Sequence, residues 1–134
     1  MVGAIVVTHC RLGQELVCAT EFIVGKIDAL KAVSVDPARK AEELRGEIEA
    51  AVRQVDRGEG VLILTDMFGG TPSNISLSFL EEGKVEIITG VNLPMIIRFA
   101  TEREGKSLAE VSESVKSYGR RSISQATEIL QKKV

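Results

Sequence analysis

The chain has 134 residues, the size of one ordinary domain, and is long enough to bury a core without disulfides or a metal. Charged residues make up 27% of it and aromatic residues only 4%, a globular composition in which aliphatic side chains must form the core. The formal net charge is −2, and the basic residues are scattered singly or in pairs. The sequence therefore lacks the basic patch that is typical of nucleic-acid-binding proteins, and we do not expect that function.

The two cysteines, Cys10 and Cys18, are separated by more than two helical turns and form no CxxC motif. We therefore expect no disulfide between them and a reducing compartment. The opening MVGAIVV carries no basic leader, and no apolar run approaches the roughly 18 residues of a membrane span. These features predict a cytoplasmic protein.

Strand and helix patterns alternate in the first half of the chain. Residues 2–8 are predicted to form a buried strand and residues 32–35 a short second one. A first helix is indicated by apolar residues at helical spacing, namely Leu12, Leu16, Ala19, Ile23 and Ile27. Asp36 and Pro37 are predicted as the N-cap and first-turn proline of a second helix. The apolar face of that helix comprises Ala41, Leu44, Ile48, Ala51 and Val55.

The second half continues the alternation. The segment VLILT, residues 61–65, is apolar throughout, which is typical of a central parallel strand covered on both faces. A helix over 72–82, a strand over 85–89 and a helix from Leu93 or Pro94 follow. Ser107 is predicted to cap the last helix, whose inward residues are Leu108, Val111, Val115 and Tyr118. The pattern predicts a single α/β domain: an open parallel sheet of about four strands, ordered 2-1-3-4, with helices on both faces.

Polar residues follow the carboxyl ends of three predicted strands, where sites form in open parallel sheets. His9, the only histidine, follows the first strand, TDMFGGTPSN (65–74) covers the end of the third, and TGVNLPM (89–95) covers the end of the fourth. Each also has a purely structural interpretation. A lone histidine can cap a strand, Asp66 can cap a turn, paired glycines can reverse the chain, and Asn92 can cap a helix.

His9 and Asp66 are expected to face each other if the first and third strands are neighbours. An aspartate that accepts one ring N–H leaves the other nitrogen unprotonated, as a nucleophile or base. Cys10 is adjacent, but neighbouring residues at a strand end point apart, so a Cys–His pair is not expected. No second histidine or acidic cluster suggests a metal site, and no dinucleotide or Walker motif is present. The residues predict a phosphoryl-accepting histidine without a cofactor.

The segments IVVTH (5–9), TDMFGGTPSN and TGVNLPM, in this order and spacing, resemble a known family. It is the enzyme IIA (EIIA) component of the mannose family of the bacterial phosphoenolpyruvate-dependent sugar phosphotransferase system (PTS). The resemblance covers nearly the whole chain, which is identified as a single mannose-type EIIA domain over 1–134. It implies a phosphotransferase component that carries a phosphohistidine.

The resemblance also implies roles for individual residues. His9 would be the phosphorylated residue and Asp66 would hydrogen-bond its other nitrogen. The phosphoryl group would be contacted by the loop residues Gly69, Gly70, Thr71 and Ser73. Cys10 and Arg11 stand where relatives commonly have small or flexible residues, and Arg11 is a candidate contact for the phosphoryl group or a partner.

The implied partners are the other components of the cascade. The phosphocarrier HPr would supply the phosphoryl group and an EIIB protein would receive it, with the membrane components EIIC and EIID acting next. Many relatives continue into a fused EIIB domain, whereas this sequence ends soon after Leu130, so we expect a separate EIIB. Partner surfaces should surround His9, and relatives commonly form homodimers.

Three other functions are compatible with a histidine at this position. The same phosphohistidine could serve a regulatory binding module that passes nothing to sugar. A phosphocarrier of dihydroxyacetone kinase systems ranks lower because it lacks the GGTPSN and GVNLPM segments. A hydrolase with His9 as general base is disfavoured because no nucleophile or second acid completes it. The sugar is not encoded in these motifs.

Overall fold

The structure is a computed structural model that describes residues 1–131. Strands and helices alternate through most of the described chain: β1 Gly3–His9, α1 Leu12–Val24, β2 Leu30–Val35, α2 Ala41–Val55, β3 Val61–Thr65, α3 Thr71–Leu77, β4 Val85–Thr89, α4 Leu93–Glu102, α5 Leu108–Arg121 and α6 Ala126–Gln131. The strands form one parallel sheet in the order β2-β1-β3-β4. The predicted α/β class and strand order are confirmed.

The core has two halves, one on each face of the sheet. On one face, Ile5, Val7 and Ile63 pack with buried residues of α2 and α3 such as Leu44 and Ile75. The opposite face packs against α1, α4 and α5, through Ala4, Val6, Leu62, Leu64, Ile96, Phe99 and Val111. Because successive strand residues point to opposite faces, the central strands β1 and β3 are apolar without alternation. Because α1 packs on one half of the core and α3 on the other, the helices after β1 and β3 leave on opposite faces of the sheet, as expected.

Helix α1 faces the sheet with only part of the set that the apolar spacing predicted: Leu16 packs against the core, and Ile27 is buried. Gly13 and Thr20 are buried, whereas Leu12 and Ile23 are exposed, and Ile27 lies beyond the helix end at Val24. A Cβ at Gly13 would lie 3.1 Å from both the Val6 carbonyl oxygen and the Thr8 hydroxyl. The helix approaches β1 through this small residue, which turns part of its apolar set toward solvent.

The predicted start of α2 is wrong by four residues. Asp36 accepts a hydrogen bond from the Ala38 N–H (2.8 Å), and its carbonyl accepts one from the Arg39 N–H (2.9 Å). These bonds close a turn before the helix, whose N-cap is Lys40. Ala41, in the first turn, is consequently exposed, while the rest of the predicted face is buried.

The later helices differ from expectation at their ends. Helix α3 stops at Leu77, well before the predicted residue 82, where the Ser78 hydroxyl donates to the Ile75 carbonyl (2.6 Å) and the chain enters turns. Helix α5 is not the last, because α6 follows it. Tyr118 is half-buried rather than buried and lies beneath the Arg98 guanidinium, 4.2 Å from its ring centroid.

Two predicted helix starts are confirmed by their caps. Asn92 accepts a hydrogen bond from the Met95 N–H (3.1 Å), and Ser107 forms a reciprocal capping box with Glu110. The Asn92 amide also donates to the Gly119 carbonyl (3.2 Å), which ties the loop after β4 to α5. No helix within residues 1–131 has the length and apolar character needed to cross a membrane.

Arg103 is a buried cation that joins three parts of the fold, and its removal should be costly. The residue is 6% exposed, and its guanidinium donates to the carbonyls of Val2 (3.1 Å) and Asp28 (2.7 Å) and lies over the Phe99 ring. Arg103→Met would leave both carbonyls without a donor, so we expect the free energy of unfolding to fall by about 3 kcal/mol in urea titrations. Arg53→Met, which removes only an exposed pair with Glu49, should change it by less than about 0.5 kcal/mol. Equal effects of the two changes would contradict this role.

Candidate active site

His9 is presented at the carboxyl end of β1, at the point where the strand order reverses. It is the last residue of the strand and is paired with Val35 of β2. Its side chain is 45% exposed, in contrast to the fully buried Thr8 before it. The strand therefore holds the backbone rigidly while the ring faces solvent, where another protein can reach it.

Asp66 follows β3 and lies against the His9 ring. Its Oδ2 is 2.8 Å from His9 Nδ1 and also accepts the His9 backbone N–H (3.0 Å), while Oδ1 accepts the Met67 N–H (3.1 Å). A carboxylate can only accept, so a neutral ring bonded to it carries its proton on Nδ1. Nε2 is then unprotonated and available as a nucleophile. The predicted juxtaposition of the two residues is present.

The Asp66 carboxyl is held in its ionised form. Its side chain is 12% exposed, and burial alone raises the pKa of this carboxyl. The hydrogen bonds from the ring and backbone of His9, with the charge interaction between the two residues, outweigh burial and hold the pKa below its ordinary value of 3.8. Asp66 is therefore an anionic acceptor at neutral pH.

The four predicted phosphoryl contacts are placed differently around the ring. Gly70 lies against the ring itself, close to Cε1 and Nε2. Gly69 and Thr71 are exposed in the same loop, with Thr71 beginning α3. Ser73 is fully buried, and its hydroxyl has no hydrogen-bond partner among the described residues. The structure thus brings Gly70 to His9 and leaves the Ser73 side chain beneath the surface.

Three exposed apolar side chains near His9 were not singled out by sequence. Leu12 begins α1 just after His9, and Met67 and Phe68 follow Asp66 directly. Phe68 is 73% exposed, although it belongs to a domain with few aromatic residues. The available signal was the apolar pair Met67-Phe68 inside an otherwise polar loop. Exposed apolar side chains beside a reactive group mark a surface that partners can cover.

The surroundings of His9 contain further polar groups but no cluster of metal ligands. Within residues 1–131, no group of three or more His, Cys, Asp or Glu residues could hold a metal ion. Arg11 is exposed and lies 4.0 Å from Glu15 across one helical turn. Cys10 and Cys18 are both exposed free thiols in the structure.

Cys10 adopts a left-handed backbone conformation that glycine would adopt more easily. Its φ is +53°, and its N–H donates to the Val35 carbonyl (2.9 Å). We expect Cys10→Gly to raise the free energy of unfolding by about 0.5–1 kcal/mol, because relief of the steric strain exceeds the entropy that glycine loses on folding. Cys18→Gly, the same change inside α1, should instead lower it by about 1 kcal/mol. Thermal or urea unfolding measures the stability of the two variants. An equal loss of stability in both would contradict backbone strain at Cys10.

Comparisons with known proteins identify a family for this chain. A family model, EIIA-man, described as the PTS system fructose IIA component, matches residues 3–116. The PTS system fructose-specific EIIA component of Bacillus subtilis is 28% identical over 98% of this chain and 91% of its own. The PTS system mannose-specific EIIAB component of Escherichia coli is 28% identical over 77% of this chain, which spans only 32% of that protein.

Solved structures show the same architecture. The PTS IIA protein associated with the fucose utilization operon of Streptococcus pneumoniae superimposes with a TM-score of 0.85 and 25% identity, covering 96% of both chains. A four-stranded parallel sheet with this histidine–aspartate pair, together with the family match over most of the sequence, leads to one conclusion. The chain belongs to the EIIA-man family of the sugar PTS, whose members are phosphotransferase components that carry a phosphohistidine.

Proposed function

We propose that His9 accepts a phosphoryl group on Nε2 from phospho-HPr and passes it to an EIIB partner in sugar uptake. One observation carries this assignment: Asp66 occupies Nδ1 at 2.8 Å, which leaves Nε2 as the free nitrogen of a 45% exposed ring. A phosphocarrier must exchange its group with two large proteins in turn. An exposed nucleophile with in-line access suits that task better than a deep pocket.

The proposed transfer exchanges one phosphorus–nitrogen bond for another. Nε2 of His9 attacks the phosphorus of the donor's phosphohistidine, the new P–N bond forms, and the donor's P–N bond breaks with its electron pair returning to the donor ring. The Nδ1 proton stays on the His9 ring, hydrogen-bonded to Asp66, whose negative charge stabilises the positive charge that develops there. Transfer to EIIB repeats the step with His9 as the leaving group.

The loop before α3 is the proposed contact for the phosphoryl oxygens. Main-chain N–H groups at a helix start have no partner within the helix and point toward an incoming anion. We assign this contact to the main chain of Gly69 and Gly70 and to the exposed Thr71 hydroxyl. Because the Ser73 hydroxyl is buried, we assign Ser73 only its main-chain N–H.

The partner surface is proposed to surround His9. Leu12, three residues after His9, and Met67 and Phe68, directly after Asp66, supply exposed apolar area, and the exposed Arg11 adds a cation. An apolar centre with a charged rim is the usual composition of a transient protein interface. HPr and EIIB would use this surface in turn, because both must reach the same nitrogen.

A reconstituted phosphorylation assay tests the proposal. Incubation with labelled phosphoenolpyruvate, enzyme I and HPr should add one acid-labile phosphate to each chain, and adding a cognate EIIB should remove it. Failure to label the protein would refute the proposal. A protein that is labelled but passes nothing to any EIIB of its genome would point to the regulatory module instead.

We also propose that the protein forms a homodimer. The sheet has two edge strands, β2 and β4, and an unpaired strand edge is a template for association with a second copy. Sedimentation equilibrium should give twice the chain mass of 14.5 kDa. A single-chain mass at micromolar concentration would refute the dimer without affecting the phosphorylation assay.

A further inference from the structure

The contact between Gly70 and the reactive edge of the His9 ring is unusually close. A Cβ at residue 70 would lie 2.8 Å from His9 Cε1 and 3.2 Å from Nε2, with Met67 Cγ at 3.5 Å. Real Cβ atoms essentially never approach another heavy atom within 3.0 Å, so a side chain here would displace something. The group that would move is the imidazole, because it is the exposed end of a side chain.

The two glycines of the loop are glycines for different reasons. Gly70 has φ −85° and ψ 170°, an extended conformation open to any residue, so its backbone does not require glycine. Gly69 has φ +87°, which favours glycine, yet nothing lies within 4 Å of where its Cβ would be. At residue 70 the requirement is therefore space beside His9, and at residue 69 it is backbone conformation.

We infer that Gly70 is a positioning residue for His9. Asp66 holds the ring by Nδ1, and the bare Cα of Gly70 borders the adjoining Cε1–Nε2 edge. Together these two residues restrict the imidazole to the orientation in which Nδ1 is hydrogen-bonded to the carboxylate and Nε2 is accessible to a phosphoryl donor. This inference rests on the proposed function for its catalytic consequence, but the ring position itself is independent of any phosphoryl transfer.

Gly70→Ala should disturb the ring and leave the fold intact. The added methyl pushes Cε1 and Nε2 away, which lengthens or breaks the Nδ1 bond to Asp66. A displacement of about 1 Å at a reacting atom lowers a transfer rate by about 100-fold. We expect that loss in phosphorylation by phospho-HPr, without loss of cooperative unfolding.

Nuclear magnetic resonance of the ring nitrogens tests the inference directly. His9 is the only histidine in the chain, so its two ring ¹⁵N signals need no residue assignment, and their different couplings to the two carbon-bound ring protons distinguish Nδ1 from Nε2. In the unphosphorylated protein at a pH where the ring is neutral, the signals should report a proton on Nδ1. In Gly70→Ala the population with the proton on Nε2 should rise. Unchanged ring signals in this variant would overturn the inference.

Matched variants separate positioning from general damage. Gly70→Ser keeps the Cβ but restores a favoured N-cap residue for α3, so it should show the same ring change even if the alanine variant is unstable. Gly69→Ala should lower the thermal midpoint through backbone strain but leave the ring signals as they are. Gly46→Ala, in α2 with open space around it, should alter neither the ring nor the rate. A ring change of equal size in Gly69→Ala would refute a specific contact.

A double-variant cycle completes the test. If Gly70 acts through the Asp66 bond, Gly70→Ala should slow the Asp66→Asn protein far less than it slows the parent. Fully additive rate losses would overturn the positioning role. A parent protein that takes no phosphate at all would refute the proposed function, while the ring spectra would still decide the role of Gly70.

Discussion

His9→Ala is expected to abolish phosphoryl acceptance from phospho-HPr. No other histidine exists in the chain, and among residues 1–131 the only side chain hydrogen-bonded to Asp66 is that of His9. Because the reaction forms a bond to the missing atom, the loss should be complete rather than partial. The measurement is labelled phosphate per chain after incubation with phosphoenolpyruvate, enzyme I and HPr.

The alanine variant should keep its fold, which makes the result interpretable. The His9 ring is 45% exposed, and the bond from the His9 backbone N–H to Asp66 does not depend on the side chain. We expect an unchanged circular dichroism spectrum and a thermal midpoint within a few degrees of the parent. Cys18→Ala, an exposed change on α1, is the control that should label fully. Residual labelling of His9→Ala at the parent's level would move the phosphorylation site elsewhere.

Asp66→Asn is expected to slow phosphorylation by about 100-fold while leaving the fold intact, because ring orientation and proton position are both lost. An asparagine can present its NH₂ group to Nδ1, which favours the tautomer with the proton on Nε2 and so blocks the nucleophile. The negative charge that stabilises the developing imidazolium is also removed. Single-turnover labelling with excess phospho-HPr measures the rate of this step.

Asp36→Asn is the matched control for this change. Asp36 follows β2, the neighbouring strand, and its side chain accepts a hydrogen bond from the Ala38 N–H rather than from the His9 ring. The same substitution there should leave the labelling rate unchanged. Equal rates for Asp66→Asn and the parent protein would remove the orienting role of Asp66.

The lowered pKa of Asp66 gives this pair a defined pH dependence. A carboxyl with a lower pKa in the folded state stabilises that state above the unfolded pKa, and the stabilisation is lost as the pH falls through the folded value. The difference in unfolding free energy between the parent and Asp66→Asn should therefore shrink as the pH falls below the ordinary value of 3.8. A difference that stays constant as the pH falls from about 5 to about 2 would contradict this assignment.

Much of this molecule follows from local patterns in the chain. The apolar runs at β1 and β3, the turn residues between elements and the caps at Asn92 and Ser107 predicted the strand order and most helix starts. These signals are local because hydrogen bonding within a helix turn and burial of a central strand depend on nearby residues. The alternation of elements then restricted the topology to a parallel sheet.

The errors in the helix predictions have two different physical causes. Leu12 and Ile23 were wrongly predicted to lie on the inward face of α1, because the helix approaches β1 at Gly13. The start of α2 was misplaced because Asp36 caps a turn that precedes the helix. The first error depends on how closely α1 approaches β1, and the second on a local turn that competes with the helix start; helical spacing alone encodes neither.

By itself the sequence determined the fold class, the family resemblance and the two residues His9 and Asp66 as a facing pair. Only the tertiary structure decided which ring nitrogen is free, since that depends on a 2.8 Å contact between residues 57 positions apart. It also separated the roles of Gly69 and Gly70, which look alike in the motif but differ in backbone conformation and in distance from the ring. Distances between strand ends are set by the packing of the whole sheet, so no single segment carries them.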